Sequence, residues 1–107
     1  MDAVQKLQEN GIRVDLAQIA AIAQFYSVSE ISVFGSSIRD DIRQESDIDL
    51  LITFREGSAV SLFDLMELEE RLSKIFGRPV EIVEPGSLKN PIRRQAILAT
   101  KQLLYAA

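Results

Sequence analysis

Residues 35–54 read GSSIRDDIRQESDIDLLITF. The stretch opens with Gly35 and Ser36 and continues through about ten mostly charged or polar residues. It then places two aspartates, Asp47 and Asp49, directly before and within the apolar run that follows. A carboxylate beside a core is costly unless a partner compensates it. The pair therefore predicts either a solvated turn or a site that holds a cation.

The apolar run favours a strand with both faces covered over residues 47–54. Side chains alternate along a strand, so Asp47 and Asp49 project from the same side, about 6.6 Å apart along the chain. Two like charges in this arrangement repel each other unless a cation lies between them. Magnesium accepts all-oxygen ligands and commonly takes one or two carboxylates together with substrate phosphates. The spacing therefore predicts a Mg²⁺ site.

A later strand offers a third acid. In residues 79–83, Val80 and Ile82 share one face, and Glu81 shares the other face with Val83. If the two strands are neighbours, Glu81 lies beside the aspartate pair. Three carboxylates can hold two metal ions about 3.5 to 4 Å apart, an arrangement used in phosphoryl and nucleotidyl transfer. Glu81 could also accept a proton from an attacking hydroxyl.

The Gly-Ser pair supplies the features of a phosphate site. Gly35 lets the backbone approach a ligand closely, and the N–H groups of a following short helix would face an anion. The Ser36 hydroxyl can donate to a terminal phosphate, and Arg39 can pair with phosphate oxygens. Arg39 could instead pair with a neighbouring acid such as Asp40. Phosphate on one side and metal on the other would bracket a nucleoside triphosphate.

The other elements are predicted from periodicity and capping residues. The sequence predicts a helix after Asp15, a strand over residues 30–34, a helix over 62–76, a strand over 79–84 and a last helix from Pro91. Whether a short strand follows that last helix is left open. This order favours an α+β (α/β) fold in which helices flank a small mixed β-sheet, as one domain over residues 1–107.

The helix over residues 62–76 has a broad apolar face. We expect this face, which includes Leu62 and Met66, to lie in the core. Its charged residues are most simply a solvated face; they include Glu67, Glu69 and Glu70.

Composition narrows the chemistry. The chain has 107 residues, no cysteine and no histidine, so disulfides, thiolate metal sites and histidine catalysis are excluded. The net charge of -4 disfavours a nucleic acid partner, because Lys and Arg supply most of the affinity for phosphates. No apolar stretch approaches the roughly 18 residues of a membrane span, and we expect a cytoplasmic protein.

At this point the sequence resembles a known family. Residues 34–40 and 46–50 look like the minimal nucleotidyltransferase motif of the DNA polymerase β-like superfamily, and residues 77–88 resemble its third-acid strand. The resemblance implies the polymerase β-like nucleotidyltransferase fold over roughly residues 15–105. It also implies that Gly35 and Ser36 bind phosphate, and that Ser36 is a catalytic residue together with Asp47, Asp49 and Glu81, the three acids that bind metal.

The match departs from the family pattern at three places. Ser37 and Ile38 precede Arg39 where the family often has an Arg-Ala-Arg-Gly stretch. Asp40 stands where glycine is frequent, and Glu81 replaces the more usual aspartate.

Stand-alone members of this family are commonly paired with a HEPN-domain toxin. The resemblance therefore implies an antitoxin of a type VII toxin–antitoxin pair, which uses Mg²⁺ and ATP to move AMP to a toxin tyrosine. A non-catalytic antitoxin that acts by binding alone is a second reading, and nucleotidyl transfer to a small molecule such as an aminoglycoside is a third. A sugar-transferring Asp-x-Asp enzyme is disfavoured because such enzymes need a larger domain. Homo- and hetero-oligomers both stay open.

Overall fold

The structure, a computed structural model, describes residues 2–39 and 47–107. Over these ranges the chain forms α-helices and β-strands, with two short 3-10 turns. In order, the elements are α1 (Ala3–Glu9), α2 (Leu16–Phe25), β1 (Val28–Phe34), a 3-10 turn (Gly35–Ile38), β2 (Ile48–Phe54), α3 (Leu62–Phe76), β3 (Val80–Val83), a 3-10 turn (Pro85–Ser87), α4 (Pro91–Thr100) and β4 (Gln102–Ala106).

The strands form one mixed sheet in the order β3-β2-β1-β4. Strand β1 pairs antiparallel with both β2 and β4, whereas β2 and β3 run parallel. A parallel pair needs a crossover connection, and α3 provides it between β2 and β3. The predicted α+β fold with a small mixed sheet is therefore confirmed.

Capping residues explain where the two main helices begin and end. The Asp15 side chain accepts a hydrogen bond from the backbone N–H of Gln18 and starts α2. Ser61 starts α3 through a capping box with Asp64, in which each side chain accepts from the other residue's backbone N–H. Helix α3 ends at Gly77, whose φ of 70° is in the left-handed region that glycine adopts readily. Both helices were predicted at these positions.

The two faces of the sheet have different cores. Inward residues of β2, such as Ile48 and Leu50, join a large cluster with α1, α2 and α3. The other face carries a smaller cluster around Leu51 and Ile97, to which α4 contributes. Because side chains alternate along β2, Asp49 shares the face of Leu51. The acidic residue thus lies on the α4 side, where the apolar cover is smaller.

Two features differ from the sequence prediction, and one question that the sequence left open is answered. Helix α1, which begins with a capping box at Asp2, was not predicted, whereas the final strand β4 after α4 is one of the two alternatives left open. Leu62 and Met66 were expected in the core but are 72% and 60% exposed. The expectation was wrong because the sheet covers only part of the apolar face of α3. The buried residues of this helix begin at Leu68. In the described part of the chain, no helix has both the length and the apolar character needed to cross a membrane.

Candidate active site

The centre of the site is a pair of carboxyl groups on neighbouring strands. In the parallel pairing of β2 with β3, Asp49 lies directly opposite Glu81. Burial raises the pKa of Asp49 to about 6, and the charge of Glu81 and a hydrogen bond between the two carboxyl groups add to the effect. Strands β2 and β3 are thus neighbours, as expected. Their pairing concentrates negative charge at one point on the sheet.

Asp47 lies at the edge of this pair. It directly precedes β2 and is exposed, and its charge also contributes to the raised pKa of Asp49. Among the residues that the structure describes, no three acidic side chains converge closely enough to enclose one metal ion. The donor set itself suits magnesium, since it offers carboxylate oxygens whose mutual repulsion a divalent cation would relieve. The structure therefore assembles two of the three predicted acids in contact and leaves the third nearby.

The Gly-Ser turn lies against Asp49. Gly35 follows Phe34, which pairs with Asp49 across β1 and β2, and it adopts a φ of +77°. A Cβ at this position would collide with a carboxylate oxygen of Asp49 and stand 3.3 Å from its Cγ. Only glycine allows this approach, because its backbone takes the left-handed region without strain and it has no side chain. Gly35, which is predicted to bind phosphate, is thus in direct contact with Asp49, which is predicted to bind metal.

The rest of the turn is ordered by its own hydrogen bonds and by α1. Ser36 is partly exposed, and the next serine, Ser37, is fully buried. The backbone N–H of Arg39 donates to the Ser36 carbonyl at 3.1 Å. The Asn10 amide donates to the carbonyls of Ser37 and Arg39 at 2.8 and 3.0 Å. Asn10 therefore fixes the end of the turn, a role that its place after a helix in the sequence does not reveal.

Arg39 directly follows the phosphate turn as its C-cap residue. It is exposed and lines a cavity of about 320 Å³ together with Gly35, Ile38, Thr100 and Gln102. The structure thus brings Gly35 and Arg39 to one cavity, as a phosphate site requires. The departure from the family pattern at Asp40 lies outside the described residues.

Two further charged residues reach the acids. Arg93, in the first turn of α4, lowers the pKa of Asp49 against the effects that raise it. A cation in the first turn of a helix opposes the helix dipole, so this position is not explained by helix stability. Glu69 on α3 is partly buried, and burial together with the charges of Glu81 and Asp47 raises its pKa. Sequence reasoning missed Arg93 and assigned Glu69 to a solvated face; the cationic first turn of α4 was the available signal for Arg93.

Comparison with known proteins agrees with this geometry. Residues 7–104 match the sequence profile of a family described as nucleotidyltransferase domain. A candidate protein adenylyltransferase of Methanocaldococcus jannaschii is 39% identical over 80 residues, which is 75% of this chain and 78% of that protein. The protein adenylyltransferase MntA of Thermococcus cleftensis is 39% identical over 72 residues, or 67% of this chain and 71% of that protein.

Solved structures show the same fold. The structure of a candidate minimal nucleotidyltransferase has a TM-score of 0.69 and 29% identity, over 97% of both chains. A toxin–antitoxin complex with AMP-PNP contains a chain with a TM-score of 0.68 and 18% identity. That match covers 88% of this chain and 75% of the other, and at this identity it is a likeness of fold alone.

Proposed function

Because this chain belongs to the nucleotidyltransferase domain family, we propose that it is a magnesium-dependent adenylyltransferase that moves AMP from ATP to a hydroxyl of a protein. One observation carries the proposal. Asp49 contacts both Glu81 on the neighbouring strand and the positive-φ Gly35 of the phosphate turn. This arrangement places oxygen ligands for a cation beside a backbone that can approach phosphate. The names of the relatives that are 39% identical support the choice of AMP and of a protein acceptor.

Each residue of the site has a role in the proposal. The backbone of Gly35 and the Ser36 hydroxyl bind phosphate oxygens, and Asp47, Asp49 and Glu81 would hold Mg²⁺. When bound, magnesium would neutralise charge on the phosphates. The acceptor hydroxyl forms a bond to the α-phosphorus, and the bond from that phosphorus to pyrophosphate breaks. Glu81 takes the hydroxyl proton, which is a role suited to an exposed carboxylate beside an acid of raised pKa.

The acceptor in this proposal is a tyrosine of a HEPN-domain toxin, and the chain acts as the antitoxin of a type VII pair. The support is the shared fold with antitoxin chains, among them the partner of a tri-AMPylated HEPN toxin of Shewanella oneidensis. The acidic balance of the chain, with a net charge of -4, fits a protein acceptor better than a nucleic acid.

The test is transfer to a purified HEPN-domain toxin in the presence of ATP and Mg²⁺. The wild type should add the mass of AMP to the toxin, and Asp49→Asn should lose about 100-fold or more in rate, because it removes a charge from the centre of the site. Glu56→Gln, an exposed acid in the loop after β2, is the matched control and should transfer normally.

Two results would count against the proposal. One is a toxin that stays unmodified with the wild-type protein. The other is neutralisation of the toxin by Asp49→Asn as complete as by the wild type, which would favour an antitoxin that acts by binding alone.

A further inference from the structure

The cavity beside the phosphate turn has walls from two elements that the site described above does not use. It has a volume of about 320 Å³, and its described lining residues are Gly35, Ile38, Arg39, Thr100 and Gln102. Thr100 is the last residue of α4, and Gln102 is the first residue of β4. The end of one helix and the beginning of one strand thus meet the turn at this cavity.

The cavity lies at the end of the sheet and not under one of its faces. Gly35 is the first residue after β1, and Gln102 pairs with the second-to-last residue of that strand. Ile38 belongs to the core formed with α1, α2 and α3, whereas Thr100 ends the helix that packs on the face of the acids. Because residues from both sides of the sheet line the cavity, Gln102 reaches the turn whichever face its strand position favours.

Gly35 joins this cavity to the acids. Its backbone lies so close to Asp49 that an added Cβ would collide with the carboxylate, and the same residue lines the cavity. A triphosphate whose reacting phosphate is held at Asp49 can therefore pass along Gly35 and end in the cavity. Arg39 on the wall supplies positive charge at that end.

The lining favours phosphate over the nucleoside part of a nucleotide. Ile38 is the one apolar side chain among the described lining residues, and none of them has an aromatic ring on which a base could stack. A guanidinium and an amide are instead groups that bind phosphate oxygens. The cavity is therefore suited to the end of a phosphate chain.

The Gln102 amide is oriented with its carbonyl oxygen inward. Among the side chains of residues 2–39 and 47–107, Oε1 of Gln102 is the one buried polar atom without a hydrogen-bond partner. The side chain as a whole is partly exposed and lines the cavity, so its accessible polar group is the Nε2 amine. A buried acceptor without a partner costs stability. A residue that lowers stability and presents a donor beside a phosphate turn indicates a role in binding.

From these observations we propose that Gln102 is a nucleotide-binding residue, which donates from Nε2 to the terminal phosphate of ATP in the cavity at the end of the sheet. The inference rests on the proposed adenylyltransferase function, because it starts from a triphosphate held at Asp49 and Gly35. It adds a basis for selection. ATP gains this contact, whereas the shorter phosphate chains of ADP and AMP do not reach the cavity.

The first experiment measures the binding of ATP, ADP and AMP by calorimetry in the presence of Mg²⁺. Gln102→Met keeps an unbranched side chain of similar length and removes both polar atoms. It should weaken ATP binding about tenfold, because a hydrogen bond to a charged group is lost. Binding of ADP and AMP should stay within about twofold of the wild type. Gln102→Glu should weaken ATP binding further, because its carboxylate repels the phosphate.

Urea unfolding separates a binding role from a structural one. Gln102→Met removes the buried acceptor that lacks a partner, so its stability should equal or exceed that of the wild type. Lower ATP affinity without lower stability is the result expected of a residue that serves binding. A residue that serves folding alone would lose stability, and its affinity for all three nucleotides would fall together.

The matched control is Gln95→Met. Gln95 is an exposed glutamine in the middle of α4, two positions from the buried Ile97, and so lies on the outer side of that helix. The same chemical change at this position should leave stability and the affinity for each nucleotide within about twofold of the wild type.

The second experiment measures AMP transfer to the HEPN-domain toxin. Gln102→Met should raise the KM for ATP about tenfold and leave kcat within about twofold, because the contact is present both before and during transfer. Pyrophosphate alone should inhibit Gln102→Met about tenfold less strongly than the wild type, since the leaving group occupies the same cavity.

The outcomes separate this inference from the proposed function. If no AMP is transferred but Gln102→Met loses the preference for ATP over ADP, the cavity binds the terminal phosphate and the enzymatic proposal fails. If transfer occurs but Gln102→Met binds ATP as tightly as the wild type, Gln102 does not contact the nucleotide. Equal losses for ATP, ADP and AMP, or a wild type with no preference for ATP over ADP, also overturn the inference.

Discussion

Substitution of Gly35 by alanine tests the contact between the phosphate turn and the acids. Gly35 has a φ of +77°, and an added Cβ would collide with the Asp49 carboxylate and lie 3.3 Å from its Cγ. Two separate costs follow. The left-handed backbone conformation costs a non-glycine residue about 1 to 2 kcal/mol. Displacing the Asp49 side chain from its rotamer costs about 0.5 to 1.5 kcal/mol more.

Gly57→Ala separates these two costs. Gly57 has a φ of +80°, and an added Cβ there would meet no atom within 4 Å. This control should therefore lose only the backbone component, about 1 to 2 kcal/mol, and keep full transfer activity. Gly35→Ala should lose about 1.5 to 3.5 kcal/mol in all. It should also lose on the order of 100-fold in transfer rate, because a shift of about 1 Å in a catalytic group has that effect.

The assays are urea unfolding for stability and AMP transfer to the toxin for activity. A third variant isolates the collision. In an Asp49→Ala background the carboxylate is absent, so adding Gly35→Ala should cost only as much stability as Gly57→Ala does. Equal stability losses for Gly35→Ala and Gly57→Ala in the wild-type background, with transfer intact, would refute the reasoning.

Three further outcomes are expected. Asn10→Ala should destabilise the protein by about 1 kcal/mol per lost hydrogen bond and weaken ATP binding; a titration that shows unchanged ATP affinity would contradict this. Mg²⁺ at ten times its Kd should stabilise the wild type by about 1.4 kcal/mol in thermal unfolding, and an equal gain in Asp49→Asn would exclude this site. Burial and the hydrogen bond to Glu67 raise the pKa of Tyr26 from 10.0 to about 12. The folded state then keeps a proton that the unfolded chain loses, so stability should fall from pH 10 to pH 12, and Tyr26→Phe should remove that fall in urea unfolding.

Local chemistry made much of the fold predictable. Ser61 and Gly77 mark the ends of α3 because a side chain oxygen can cap one end and a glycine can adopt positive φ at the other. The alternation of Asp49 with apolar neighbours predicted a buried strand that carries a carboxylate on one face. These signals involve residues close together in the chain, so they can be read without knowing the tertiary structure.

Exposure of the apolar residues on α3 could not be predicted in the same way. Leu62 and Leu72 have the same side chain and lie on the same predicted apolar face, yet Leu62 is 72% exposed and Leu72 is fully buried. The difference depends on how far the sheet extends beneath the helix. Strand pairing sets that extent, and the hydrophobic periodicity along α3 carries no information about strand pairing.

The sequence by itself determined the residue types of the site. These are a Gly-Ser pair, two aspartates on the same face of one strand, and an acid on the corresponding face of a later strand. Only the tertiary structure decided that β3 pairs parallel with β2 and sets Glu81 opposite Asp49. It also brought Asn10 from α1 to the phosphate turn. The physical reason is that hydrogen-bonded register and helix packing join residues far apart in sequence, and their positions depend on the whole sheet rather than on neighbouring residues.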